Sequence, residues 1–147
     1  MTVKIDWLIE GQIIYHYWSG IGTIEDIIYV NQRTLEFYQE YPDRPLIHTI
    51  VNAVDQKNTE VGIQSGRNAM PALDHPQTGW IIMLLDNRIF EFVSNIMLQI
   101  KTKTRFRIRK DTTEGIKFLK TVDPSINWEN ANWSIIEQFK IESTEDI

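Results

Sequence analysis

The hydrophobic positions along this chain change period several times, and each change predicts an element. Val3, Ile5 and Trp7 alternate with Lys4 and Asp6, the two-residue period of a half-buried strand. Gln12 to Trp18 is β-branched and aromatic throughout, and Glu10-Gly11 between the runs makes a tight turn in which glycine can take a positive φ. Residues 3–18 therefore predict a hairpin, which Ser19-Gly20-Ile21-Gly22 ends. Thr23 then reads as an N-cap, with Glu25 and Asp26 in a first turn where the helix dipole favours acidic groups. Ile24, Ile27, Ile28, Leu35 and Tyr38 follow at helical spacing until Pro42 and Pro45 stop the helix.

Leu46 to Val54 predicts another apolar strand, followed by a polar stretch over 55–79. Within that stretch Val61 to Ala69 is a weak helix, because Gly62 and Gly66 each cost about 1 kcal/mol against alanine. Trp80 to Leu85, apolar on both faces, predicts a central strand covered on both sides. Asp86 and Asn87 offer capping oxygens for a helix with the stripe Ile89, Phe92, Val93, Ile96, Met97 and Ile100. In the next run Phe106 and Ile108 point one way and Arg105, Arg107 and Arg109 the other, the pattern of a basic edge strand that resists stray pairing. Asp111 with Glu114 reads as a capping box, opening a helix that turns Ile116, Leu119 and Val122 inward. Beyond Pro124, Trp128 to Phe139 predicts a short docked helix. Strands joined by single helices imply right-handed crossovers and an α/β domain with a mixed sheet.

At 147 residues, with 42% hydrophobic and 24% charged positions, the chain has the make-up of one folded domain. Residues 1–124 are expected to form it, with 125–147 as an acidic C-terminal extension. The longest apolar run, Trp80 to Leu85, is far short of the roughly 20 residues that cross a bilayer, so no membrane insertion is expected. The first residues lack a secretory pattern, and the expected location is the cytoplasm. With no cysteine there is no disulfide, thiolate zinc site or cysteine nucleophile.

The net charge of −5 conceals a sharp segregation. Lys101, Lys103, Arg105, Arg107, Arg109 and Lys110 fall in ten residues without an acidic group, whereas 123–147 holds six acidic residues against Lys140. The basic run offers a surface for phosphate, nucleic acid or anionic lipid. A nucleic-acid binder usually has a basic domain, however, so an internal or subunit contact with the acidic tail is the preferred expectation.

Motifs of catalysis are missing. No strand is followed by a glycine-rich phosphate loop, and His16, His48 and His75 show no metal-ligand spacing. His16 and His48 lie in strands, where a hydrogen-bonded structural role is expected. Asp74-His75 is a poor start to a triad, because adjacent residues rarely orient one another as a triad requires. The expectation is a protein that is not an enzyme and needs no cofactor or metal. Tyr15, Tyr17, Trp18 and Tyr29 form a candidate pocket for a small molecule or lipid, although core filling explains the same residues.

The opening hairpin, Gly20 before a long helix, the strands at Leu46–Val54 and Trp80–Leu85, and the closing Arg105-to-Val122 segment together resemble the SpoIIAA-like or STAS-like domains. The resemblance covers residues 3–124. It implies a four- to five-stranded mixed sheet with helices mainly on one face, no cofactor, and regulatory action through a protein partner or a second copy of the chain. Classical antagonists of that family carry an Asp-Ser-x-Gly phosphorylation motif where the loop after the third strand enters a helix. The corresponding segment here is Lys57-Asn-Thr-Glu-Val-Gly62, which leaves Thr59 as a distant candidate phosphoacceptor behind Asn58.

Overall fold

The computed structural model of the chain describes residues 2–85, 90–97 and 105–145. Five strands, β1 (Val3–Ile9), β2 (Ile13–Gly22), β3 (Ile47–Thr59), β4 (Thr78–Leu85) and β5 (Phe106–Arg109), lie in one mixed sheet in chain order. β1 and β2 form the antiparallel hairpin, turning at Gly11 with φ of 75°, and every later pair is parallel.

That order dictates where the helices go. Parallel neighbours succeed one another in a single direction, and their crossovers are right-handed, so the connecting helices must share a face. These are α1 (Ile24–Glu40), α2 (Ile63–Asn68) and α3 (Phe90–Met97). Ile27 and Val30 of α1 and Val93 of α3 pack with Trp18, Val51, Ala53 and Ile81. The opposite face, with Tyr15, Tyr17, Ile50, Ile82 and Leu84, is closed by α4 (Thr112–Val122) and α5 (Ser134–Glu145). Among the described residues three helices thus cover one face and two the other.

Local sequence chemistry sets several boundaries. Thr23 and Asp26 form a reciprocal capping box, and Asp111 accepts from the Glu114 backbone N–H at 2.9 Å. Gly62 is the N-cap of α2 rather than an interior residue. A Cβ on Gly66 would lie 3.2 Å from both Ile96 and Phe92, so this glycine admits α3 against α2. Close packing there outweighs the intrinsic penalty of glycine in a helix.

One stretch differs from expectation. Asp55 to Thr59 is strand, because it pairs with Ser19 to Gly22, where β2 also continues. Polar composition does not disclose such backbone pairing. After Pro124 the docked helix is α5, and the segment enters the core: Ile126, Ile135 and Phe139 are buried, and the Asn132 N–H donates to the Leu8 carbonyl at 2.8 Å. Gln12 holds it further, donating to the Ser125 carbonyl and accepting from the Asn127 N–H. The predicted caps Asp86 and Asn87, and the stripe residues Ile89 and Ile100, lie outside the described residues.

Candidate ligand cavity

Alternation along β2 decides which side chains face α1. Ile14, His16 and Trp18 do, whereas Ile13, Tyr15 and Tyr17 point to the layer of α4 and α5. Between this face and its helices lies a cavity of about 130 Å³. Its floor includes His16 and Trp18 from β2, Val51 from β3, and Ile81 and Met83 from β4. Its cover includes Ile27, Val30 and Asn31 of α1 and Phe92, Val93 and Ile96 of α3. Gln56 and Thr59 sit near the end of β3, and among the described residues no Asp, Glu, Lys or Arg lines the space.

Two polar groups on this wall are unspent. His16 and Trp18 are 7% and 8% exposed, and His16 Nε2 and Trp18 Nε1 have no hydrogen-bond partner among the described residues. An unsatisfied buried group costs about 1–3 kcal/mol. Burial holds the His16 pKa down to about 3, so the ring is neutral, with one nitrogen a donor and the other an acceptor. The Trp18 indole can only donate. By contrast Asn31 is engaged, its Oδ1 accepting from the Ala72 N–H at 2.9 Å, and Gln56 donates to the Asn58 carbonyl at 3.3 Å.

A smaller space of about 60 Å³ adjoins, sharing His16, Asn31 and Val51, and adds Thr34, Tyr38, Thr49 and Thr78. Thr78 donates to the Ala72 carbonyl, so the Tyr38 hydroxyl donates to Thr78 Oγ1 at 3.1 Å. Burial pushes the Tyr38 hydroxyl up to about 12.

The four aromatics named as a pocket are not brought together. Trp18 lines the cavity. Tyr29 is half-buried against the same cluster but is not on the cavity wall. Tyr15 and Tyr17 lie across the sheet, where Tyr15 accepts from Asn52 at 3.1 Å and stacks on Phe139, and Tyr17 donates to Asp55. The physical reason is the strand period, which parts residues 15 and 17 from 16 and 18. The two histidines of the strands also part company. His48 has both ring nitrogens engaged, while the expected hydrogen-bonded role fails for His16 at Nε2. His16 joins Trp18 on the cavity wall, and the shared strand face of residues 16 and 18 is the sequence signal for that pairing.

Thr59 is half-buried at the cavity, its hydroxyl donating to the Gly22 carbonyl and accepting from the Val61 N–H. Asp74 pairs with Arg67, and His75 Nδ1 accepts from the Gln77 N–H. Among the described residues no group of three or more His, Cys, Asp or Glu side chains gathers to hold a metal.

The basic run is also relocated relative to its expected partner. Lys101 and Lys103 lie outside the described residues. The Arg107 guanidinium lies 5.0 Å from the centre of the Trp80 ring, and that of Arg109 lies 4.6 Å from that of Phe118. Arg105 Nε is buried without a partner among the described residues, and Lys110 is exposed. α5 packs on β1 and β2, at the other side of the sheet from β5. Among the described residues the apolar side chains of the acidic tail dock it on the opening hairpin.

No family model matches the chain, and no curated protein matches it significantly. Among solved structures it is similar to an uncharacterized DUF3478-family protein with a SpoIIAA-like fold from Shewanella loihica PV-4, with 12% identity and a TM-score of 0.55. The match covers 80% of this chain and 93% of that one. The chain has a SpoIIAA-like fold. Among the described residues no helix is long and apolar enough to cross a membrane.

Proposed function

We propose that the chain is a non-catalytic binding module whose cavity between the sheet and α1 and α3 takes a small, mainly apolar molecule. The observation that carries this reading is the pair His16 and Trp18, buried on the wall of a mainly apolar space with ring nitrogens unpartnered among the described residues. Ligand pockets are mostly apolar with a few convergent polar groups, and this cavity has that composition.

Thermal unfolding in the presence of toluene tests the reading. A ligand at 100 times its dissociation constant stabilises the folded chain by about 2.7 kcal/mol, which raises the midpoint. Val93→Phe, which fills the space from α3, abolishes that rise. An equal rise in the wild type and in the Val93→Phe chain, or none in either, refutes it.

The SpoIIAA-like fold favours a second reading, a regulatory module acting on a protein partner or on a second copy of itself. The two are compatible, since a ligand gripped by α1 and α3 would bias the surface those helices present. Light scattering with and without toluene examines the self-association arm, and a monomer under both conditions removes it.

A further inference from the structure

We infer that the occupant of this cavity is an uncharged molecule with an apolar body and a hydrogen-bonding oxygen, of the alcohol, phenol or ketone class, whose oxygen sits at the wall formed by Trp18 and His16. This rests on the binding reading above and specifies its ligand.

Charge is decided by the lining. Among the described residues no ionic side chain faces the space, and burial keeps His16 neutral. A carboxylate or ammonium entering would lose its hydration without gaining a counter-charge, which is strongly unfavourable. The apolar body is set by the surrounding Ile27, Val51, Ile81 and Phe92 and by the volume of about 130 Å³. An apolar cavity of about 150 Å³ is known to admit benzene, so the space suits a molecule of roughly six to ten heavy atoms.

The head group follows from the two nitrogens. The Trp18 N–H can only donate, so its partner must accept, which an oxygen does and a hydrocarbon does not. The neutral His16 ring adapts by tautomer, accepting from a hydroxyl or donating to a carbonyl. Residues two apart on one strand face are roughly 6.6 Å apart at Cα, which sets the two rings side by side on one wall.

Toluene, p-cresol and p-toluate share a ring and a methyl group and differ only in the head, and their affinities for the full chain at pH 7 can be measured by NMR titration. The expected order places p-cresol at least tenfold tighter than toluene, with no binding of p-toluate. In Trp18→Phe the preference for p-cresol over toluene falls severalfold, to what the remaining His16 contact supplies. Equal affinity for toluene and p-cresol, tightest binding of p-toluate, or an unchanged preference in Trp18→Phe overturns this inference and leaves the cavity standing as a binding site. Failure of all three to bind overturns the binding reading and this inference with it. The three-probe series needs only the wild-type chain, so it remains decisive if the variant does not fold.

Discussion

The His48 imidazole donates from Nε2 to the Asp123 carboxylate at 2.7 Å, tying the start of β3 to the C-terminal cap of α4. Its Nδ1 accepts from the Trp80 backbone N–H at 2.9 Å, so one neutral tautomer satisfies both nitrogens. The ring enters where β4 shifts register against β3 between Ile47 and Thr49. A Cβ on Gly79 would stand 2.4 Å from Nδ1, so only glycine leaves the space. Burial lowers the His48 pKa, and the neighbouring Asp123 only partly offsets this. For Asp123 burial acts upward, but bonds from Ser125 and His48 outweigh it and hold the carboxyl below its ordinary value.

Asp123→Ala leaves the buried His48 N–H without an acceptor. The expected loss is about 1–3 kcal/mol of stability, measured by urea unfolding. Asp123→Asn keeps an accepting oxygen and is expected to retain most of it. A midpoint for Asp123→Ala equal to that of the wild type contradicts the assigned role.

Stability is expected to fall on the acid side of pH 6.5. The unfolded chain protonates His16 and His48 near that value, whereas burial lowers both in the folded chain, His16 to about 3. Their contribution is complete above pH 6.5 and is lost as the pH drops toward the folded values, by up to about 1.4 kcal/mol per unit for each ring. The Asp123 contribution, present above 3.8, is lost only at lower pH, as its depressed folded value is reached. Urea titrations between pH 7 and 4 check this, and His16→Gln flattens the slope. A flat wild-type profile would rule it out.

Phe139 stacks on Tyr15 with ring centroids 6.0 Å apart and closes the face opposite the cavity. Phe139→Ala is expected to cost about 3 kcal/mol, as for a buried phenylalanine. Loss of less than about 0.5 kcal/mol would mark α5 as a loose appendage. The reactivity of Lys110, exposed on the far side of the sheet, is expected to be unchanged in this variant.

Much of the fold was legible because period and punctuation agreed. The alternation of Val3, Ile5 and Trp7, the turn at Gly11 and the Thr23 cap each act within a few residues, and each stands where its pattern placed it. What could not be read depends on partners distant in sequence. Asp55 to Thr59 is polar yet strand, since β2 continues beside it. A docked helix after Pro124 was legible, but not the face it covers: Ile135 and Phe139 fill the face of the sheet that three right-handed crossovers leave for later residues. The cavity lies between the sheet and α1 and α3, so its existence depends on elements far from His16 in sequence. The candidate pocket captured Trp18 and joined to it two tyrosines that the strand period sends to the other face.

The most direct measurement concerns the Trp18 indole. The five tryptophans of the chain give five side-chain N–H resonances, and Trp18→Phe identifies the one that matters. Addition of p-cresol is expected to move the Trp18 resonance while those of Trp128 and Trp133, stacked on each other at 5.8 Å, stay in place. A Trp18 resonance unmoved at the highest p-cresol concentration the folded chain tolerates would contradict the assignment of this cavity as a binding site.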